Sequence, residues 1–159
     1  GGQPYSDRNR PPLEVRRRVT MVFQTPVFFK GTVEQNVGYG LKFRGETNAR
    51  TRVREMLDAV GLSRLAKAKM ASVSTGEAQR VAIARALIFD PEVLLLDEPT
   101  ANLDSSTSCE LLDLMLELNQ SEGTTFVFAS HDREVMARAR RLIHLKDGLV
   151  DRDEVKGEA

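Results

Sequence analysis

The chain has one cysteine, no net charge and no long apolar run, and each of these features limits the structures or partners that the protein can have. Cys109 is the only cysteine among 159 residues, so no internal disulfide can form, which is compatible with a reducing compartment. Lysine and arginine equal aspartate and glutamate at 23 each, so composition gives no indication of a nucleic-acid partner or a basic membrane-binding patch. The run at 93–96 is typical of the longest apolar stretches and cannot span a bilayer, so a membrane role would require a partner.

The start of the chain lacks the features of a targeting segment. Residues 1–10 are polar and contain glycine and proline, whereas a secretory signal has an apolar centre. The sequence does not begin with methionine, and we expect it to be a fragment or a processed product. Its length is that of one domain, and its hydrophobic content of 41% is enough for an ordinary core.

Three short apolar segments predict the strands of a parallel sheet. Residues 19–23 and 124–129 are rich in β-branched and aromatic residues, as strands are. Residues 93–96 are continuously aliphatic, which is the pattern of a strand buried on both faces of a parallel sheet. Near the end of the chain, residues 146–148 lie between two apolar runs and predict a hairpin, followed by a frayed charged tail from Asp151.

The sequence predicts helices between these segments. Capping boxes at Thr32 and Ser74 each begin a predicted helix, the first continuing through Leu41 and the second running to about Phe89. Apolar residues at helical spacing predict further helices, which cover roughly residues 53–60, 106–120 and 132–140. Strands alternating with helices indicate an α/β fold. Because no clear strand occurs between them, we expect an all-helical insertion over about residues 43–88.

Two acids, Asp97 and Glu98, directly follow the apolar run at 93–96. In an open parallel sheet, ligands bind beyond the carboxyl ends of the strands, where these side chains would lie. A carboxylate there can hold Mg²⁺ near the phosphates of a nucleotide, and a second can orient or deprotonate an attacking water. We therefore predict a metal-binding role for Asp97 and a catalytic role for Glu98. The alternative interpretation is that both are acids at the point where a strand reaches solvent.

Three further positions carry polar groups that could act on the same ligand, and each has a structural alternative. The segment 74–77 offers backbone N–H groups and a helix N-terminus to an anion, although most capping boxes only cap. His131 follows the predicted strand at 124–129 and is either a contact to a γ-phosphate or a surface cap. Gln24 could coordinate a metal or water, or simply end its strand. His144, inside an apolar run, is interpreted as structural.

In their order along the chain, these segments resemble the nucleotide-binding subunits of ABC transporters. The resemblance covers roughly residues 13–150, and its spacing is closer to an importer subunit than to an exporter or a repair ATPase. It implies a partial P-loop NTPase (RecA-like) parallel sheet flanked by helices, with an all-helical signature subdomain. The motifs that carry it are Val22-Phe23-Gln24 of the Q-loop, Val73-Ser74-Thr75-Gly76-Glu77-Ala78-Gln79-Arg80 of the signature, Leu94-Leu95-Leu96-Asp97-Glu98-Pro99-Thr100 of Walker B, Ala101-Asn102-Leu103-Asp104 of the D-loop and Ser130-His131-Asp132 of the H-loop.

The resemblance also implies ATP and Mg²⁺ as cofactors and gives roles to individual residues. Asp97 and Gln24 would be the metal ligands. Glu98 would act on the attacking water, while His131 and Gln24 would sense the γ-phosphate. The nucleotide-binding residues of the signature, facing the ATP of a second subunit, would be Ser74, Thr75, Gly76 and Glu77. Asp104 would lie at the dimer interface.

The partners implied are a second ATP-binding subunit, identical or different, and transmembrane permease subunits, with no nucleic acid. The segment from Pro26 to Phe29 would lie near the groove that receives a helix of the permease. Phe28 and Phe29 would then be a partner anchor, although a place in the core explains them equally well. The protein would be cytoplasmic and peripheral on the inner face of the cell membrane, held there by the permease subunits.

Two features depart from the family's pattern. No G-x-x-x-x-G-K-[ST] occurs in the chain, and this Walker A loop normally cradles the β- and γ-phosphates. We therefore interpret residues 1–159 as a single ATPase domain without its N-terminal Walker A part, and expect weak ATP binding and exposed apolar sheet edges. Thr75 stands where the family usually has glycine, and its β-branched side chain restricts the backbone conformations that this loop can adopt. Glu77 adds a negative charge where the family often has glutamine.

Two functions are compatible with these patterns. The first is an ATP-binding and hydrolysing subunit that powers transport by an ABC importer. The alternative is an ATP-incompetent truncated subunit that acts only as a dimerisation or permease-binding module. A nucleic-acid repair ATPase of the same superfamily is a third and weaker hypothesis, because such proteins carry long inserted segments that this chain lacks. The transported substrate is chosen by other subunits in this family and cannot be predicted from this chain.

Overall fold

The protein is described by a computed structural model over residues 11–156. None of the helices in that range combines the length and the hydropathy that a membrane span requires. The elements, in chain order, are α1 (Leu13–Arg17), β1 (Val19–Val22), α2 (Val33–Val37), α3 (Tyr39–Arg44), α4 (Ala49–Ala59), α5 (Thr75–Leu87), β2 (Val93–Asp97), α6 (Ser105–Glu122), β3 (Thr125–Ala129), α7 (Arg133–Arg138), β4 (Arg141–Lys146) and β5 (Leu149–Val155).

Strands β1, β2 and β3 form a parallel sheet in that spatial order, and β4 and β5 form a separate antiparallel hairpin. The three predicted sheet strands are therefore confirmed, each within one or two residues of its expected bounds. One face of the sheet packs against the core, together with α5 and α6. Alternate residues of the three strands form this face, namely Val22, Leu94, Leu96, Phe126 and Phe128.

The opposite face of the same sheet is largely uncovered within residues 11–156. Met21 lies opposite Leu95, which lies opposite Val127, and the two outer members of this row are exposed. Val19 begins a second such row and is exposed as well. A parallel sheet is normally covered on both faces because its connections place helices there. The described part of the chain supplies such a layer on one side only.

Both predicted capping boxes are present. The Thr32 hydroxyl accepts from the Gln35 amide, and the Gln35 side chain accepts from the Thr32 amide, which begins α2. The single helix expected to continue through Leu41 is instead divided into α2 and α3 at Gly38. Glycine is a poor helix former, which permits a break at this position. It also permits close packing, because a Cβ at Gly38 would lie 2.8 Å from a Val53 methyl group.

One expectation about the end of the chain is wrong, and one helix near its start has no counterpart among the sequence predictions. Helix α1 carries no strong start signal and was not predicted from the sequence. The tail from Asp151 is not frayed, because β5 continues to Val155 and pairs with β4. Its charged residues bond across the hairpin, as Arg141 does with Asp153 at 2.6 Å. The predicted turn is confirmed: Asp147 and Gly148 have φ values of 52° and 78°, as a type I′ turn requires.

Residues 43–88 contain helices and two short 3-10 turns. Backbone hydrogen bonds join this region to the start of α2. The Val33 amide donates to the Ala68 carbonyl at 3.0 Å, and the Met70 amide donates to the Gly31 carbonyl at 3.1 Å. Helix α5, which closes the region, also packs against β1 and α6. The interpretation of residues 43–88 as a separate inserted subdomain stays a prediction.

Candidate functional site

The carboxyl ends of the three parallel strands bring the predicted site residues to one edge of the sheet. Gln24 follows β1, Asp97 ends β2 and is followed by Glu98, and His131 follows β3 by two residues. Because neighbouring parallel strands end on the same side, residues separated by more than 70 positions in the sequence become neighbours here. This edge is the candidate site.

Glu98 is fixed by both of its carboxylate oxygens. The Ser130 hydroxyl donates to one oxygen at 2.9 Å, and His131 Nδ1 lies 2.7 Å from the other. Since a carboxylate only accepts, Nδ1 must carry the proton in this contact. The backbone of Glu98 has a φ of 43°, in the left-handed region, and its amide donates to the Ala129 carbonyl at 2.9 Å. Such a backbone costs about 1–3 kcal/mol in a non-glycine residue and persists only where its surroundings enforce it.

The charges of this pair stabilise each other. Burial alone would raise the pKa of Glu98, but the hydrogen bonds from His131 and Ser130 outweigh it and hold that pKa below its ordinary value. The hydrogen bond to Glu98, and then its negative charge, raise the pKa of His131 above the ordinary 6.5. Glu98 exposes 23% of its side chain and His131 exposes 90%, so solvent weakens the electrostatic attraction between them.

We expect the pKa of His131 to fall when Glu98 is replaced by glutamine, because the amide keeps the size and removes the charge that favours imidazolium. Above the raised pKa the ring is neutral, so the ionic part of the contact is lost as the pH rises. Below the lowered pKa of Glu98 the carboxyl is protonated, so the ionic part of the contact is lost at low pH as well. Proton NMR titration of His131 measures this, with Glu117→Gln, an exposed acid on α6, as the control. An unchanged midpoint in Glu98→Gln would show that the contact is absent in solution.

A second layer of hydrogen bonds connects the loops that hold this pair. The Thr100 hydroxyl donates to Asp132 at 2.8 Å, and the Asp132 amide donates to the Ser130 hydroxyl at 3.1 Å. Asp132 also accepts from the Glu134 amide at 2.8 Å and so caps α7. The bond from the Glu134 amide, followed by that from Thr100, lowers the pKa of Asp132. The loops after β2 and β3 are therefore joined through one carboxylate.

Asp97 has the features of a metal ligand. It ends β2, is partly buried, and forms no side-chain hydrogen bond or ion pair within residues 11–156. No group of three acidic, histidine or cysteine side chains in that range is arranged to hold a metal ion. This arrangement fits Mg²⁺, which binds through one or two carboxylates and completes its shell with water and substrate phosphates. The carboxylate of Asp97 is thus free for a cation that other ligands help to hold.

A cleft of about 400 Å³ opens beside Glu98. Its walls come from the segment after β1, the start of α5 and the loop after β2. Four of the predicted site residues lie in its walls: Gln24, Ser74, Thr75 and Glu98. Among residues 11–156, none that line it is lysine or arginine. This part of the chain therefore gives the cleft hydrogen-bonding groups and one carboxylate, but no cation to bind a phosphate.

The signature segment is held by its own capping box. The Ser74 hydroxyl accepts from the Glu77 amide at 3.3 Å, and the Glu77 carboxylate accepts from the Ser74 amide at 2.7 Å. Thr75 is exposed, while Gly76 is buried where a Cβ would lie 2.5 Å from the Thr107 methyl. Gly76 is therefore required by the packing of α5 on α6, whatever else it contacts. The structural explanation accounts for the serine, the glutamate and the glycine, and their nucleotide-binding role stays a prediction.

Asp104 has a defined structural role as the N-cap of α6. Its two carboxylate oxygens accept from the Thr107 amide at 3.0 Å and the Thr107 hydroxyl at 2.7 Å. The bond from the Thr107 amide, followed by that from its hydroxyl, lowers the pKa of Asp104. The residue is exposed, and its predicted position at a dimer interface stays a prediction.

Three residues of this site were not assigned a role from the sequence. Ser130 and Thr100 lie inside the quoted motifs, but their hydrogen bonds join positions 32 residues apart, so the order of the strands was needed to find them. Gln79 lies in the cleft wall, buried, and its side-chain nitrogen has no hydrogen-bond partner within residues 11–156. Its place one turn after the capping box was the only signal available in the sequence.

A parallel sheet with polar residues at the carboxyl ends of its strands, and helices packed against it, is the arrangement of open α/β folds that bind ligands at this edge. The family model described as ABC transporter matches residues 2–101 of this chain. The chain therefore belongs to the ABC transporter family, and its relatives are named as ATP-binding proteins. The predicted family and fold class are confirmed.

Individual relatives are similar over most of this chain. The cell division ATP-binding protein FtsE of Streptococcus pneumoniae is 42% identical over 148 residues, covering 91% of this chain and 64% of that protein. The lipoprotein-releasing system ATP-binding protein LolD of Alcanivorax borkumensis is 44% identical over 123 residues, covering 76% of this chain and 54% of that protein. The structure of cbiO1 from Clostridium perfringens, part of the ABC transporter complex cbiONQ, matches with a TM-score of 0.85 and 32% identity, over 89% of this chain and 58% of that one. The chain thus spans less than two thirds of the length of these relatives.

Proposed function

We propose that this chain is part of an ATP-binding and hydrolysing subunit that powers substrate import by an ABC transporter. The observation that carries the proposal is the fixed carboxylate of Glu98 beside the free carboxylate of Asp97, at the ligand-binding edge of a parallel sheet. Relatives named for phosphate import and methionine import support the transport role, at 42% and 45% identity. FtsE and LolD carry other names, so the importer role rests on the spacing of motifs in this chain.

The side chains at this edge have complementary tasks under the proposal. Bound Mg²⁺-ATP would supply the phosphoanhydride bond to be broken and the neutralisation of its phosphate charge. Asp97, with Gln24, would hold the metal. Glu98 uses two of its four acceptor positions on Ser130 and His131, which leaves capacity to orient a water molecule and accept its proton. His131 Nε2 forms no hydrogen bond within residues 11–156, and it can donate to a phosphate oxygen when both ring nitrogens carry a proton, a state that the raised pKa of His131 favours.

A specific observation favours the alternative, in which this chain binds partners without hydrolysing ATP. Within residues 11–156, the cleft beside Glu98 is lined by no lysine or arginine. The phosphates would then require groups from elsewhere. Under this alternative the signature segment and Asp104 would still face the nucleotide of a complete second subunit.

A surface for a permease subunit is supported by exposed aromatic residues after β1. Phe29 stacks on Tyr39 with ring centroids 3.9 Å apart, and Tyr39 meets Phe43 edge-on at 5.2 Å. All three are exposed, whereas Phe28 is half-buried under the guanidinium of Arg85. We propose that Phe29, rather than Phe28, contacts a helix of the membrane subunit. The protein would be held at the cytoplasmic face of the membrane through this contact.

Equilibrium binding of labelled ATP to this chain, with and without Mg²⁺, tests the enzymatic proposal. We expect weak binding that Mg²⁺ strengthens, since Asp97 offers a free carboxylate. Asp97→Asn should weaken the Mg²⁺-dependent part about tenfold or more, as loss of a charged ligand does. Glu98→Gln should leave binding unchanged, because that carboxylate is assigned to the water. Glu117→Gln is again the matched control.

Binding that is absent, or that Asp97→Asn does not change, would contradict the enzymatic proposal for this chain. The alternative then makes its own prediction. Mixing the chain with a complete ABC subunit should change the ATPase rate of that subunit, and the two should elute together on a sizing column. An unchanged rate without a complex would exclude the alternative as well.

A further inference from the structure

Gln79 has a buried side-chain amide with an unused donor. The residue is 5% exposed and lies in the wall of the cleft beside Glu98, yet its Nε2 has no hydrogen-bond partner within residues 11–156. Burying a donor without a partner destabilises the folded state, and an apolar side chain of the same length would make the folded state more stable at this helix position. Locally unfavourable residues of this kind are concentrated at functional sites.

The facing wall of the cleft contains acceptors that are also unused. Gln24, Thr25 and Pro26 lie in that wall and form no hydrogen bond within residues 11–156. The segment is anchored on both sides: Val22 pairs with Leu96 in the sheet, and the Val27 carbonyl accepts from Arg85 at 2.8 Å. Between these anchors, Gln24 and Thr25 are exposed. The open volume of about 400 Å³ leaves room for the segment to move toward α5.

We propose that Gln79 is the positioning residue for Gln24. Its Nε2 donates to a carbonyl oxygen of the segment 24–26 when the cleft closes, and this bond holds Gln24 at the edge of the sheet beside Glu98. Its consequence for hydrolysis rests on the proposed function, because only then does the position of Gln24 matter to a phosphate. The contact itself requires no nucleotide. An ordered water that takes the Nε2 donor is the competing explanation.

NMR on the free chain tests the contact. The side-chain amide protons of Gln79 are identified by their loss from the spectrum of Gln79→Met. In the unsubstituted chain we expect nuclear Overhauser contacts from these protons to residues 24–26. The carbonyl carbon shifts of residues 24–26 should change in Gln79→Met, because the carbonyl that accepts from Nε2 loses its donor. Gln120→Met, the same change at an exposed glutamine of α6, should leave these shifts unchanged.

Overhauser contacts to water alone, with unchanged carbonyl carbon shifts at residues 24–26, would overturn the proposal and support the bound water. The contacts are observed in the unsubstituted chain, so this outcome can be reached even if Gln79→Met folds poorly. A purely structural role would alter carbonyl shifts throughout α5 and would not single out the segment after β1. Since no nucleotide is added, a failure of the chain to bind Mg²⁺-ATP would count against the proposed function and leave this test intact.

Discussion

Leu94→Ala is expected to lower the free energy of unfolding by about 3 kcal/mol, within the range of 2–5 kcal/mol found when a buried leucine is shortened. Leu94 is completely buried in the central strand, between Thr20 of β1 and Phe126 of β3. Neighbouring strands restrain the backbone on both sides, so the cavity cannot collapse easily. Urea unfolding followed by far-UV circular dichroism measures the loss.

Leu116→Ala is the matched control, since it makes the same chemical change on α6 at a leucine that is 43% exposed. We expect a loss below about 0.5 kcal/mol there, because little apolar area is buried and alanine favours a helix. Equal losses at the two positions would contradict the placement of β2 at the centre of the core. A small loss at Leu94 with an unchanged dependence on urea would have the same meaning.

The sheet was predictable from the sequence because its strands are defined by local patterns. The aliphatic run at 93–96 has the pattern of a buried strand, although only one of its faces is covered within residues 11–156, and the two capping boxes depend on residues three positions apart. The division of α2 from α3 was not predictable in this way. It depends on the approach of Val53 to Gly38, which is a tertiary contact. The extension of β5 through charged residues likewise depends on pairing with Arg141.

The candidate site shows the same limit at the level of chemistry. That Asp97 and Glu98 lie at a strand end follows from the sequence, because polarity changes abruptly at that point. That Glu98 is fixed by Ser130 and His131 does not, since it requires β3 to lie next to β2. The interpretation of Ser74 and Glu77 is limited in another way. A capping box and an anion-binding helix terminus use the same residues, so geometry alone is compatible with both.

The uncovered face of the sheet is expected to cause self-association. Val19, Met21 and Val127 are each more than 40% exposed, and they lie on one side of the same three strands. The outer edge of β3 also has no strand partner within residues 11–156. Apolar faces and free strand edges of this kind pair with other chains unless charged residues prevent it. Sedimentation velocity over a dilution series should therefore detect dimers or larger species.

Val127→Lys is expected to weaken this association about tenfold or more. Burying a valine stabilises by about 1.5 kcal/mol or more, and 1.4 kcal/mol corresponds to a factor of ten in affinity. Lysine on an edge strand also opposes pairing by charge. Leu116→Lys is the control, because its 43% exposure is close to the 46% of Val127 but it lies on α6, away from the open face. If both variants dissociate equally, the association is non-specific. If the unsubstituted chain is monomeric at its highest soluble concentration, the open face does not associate and the prediction is wrong.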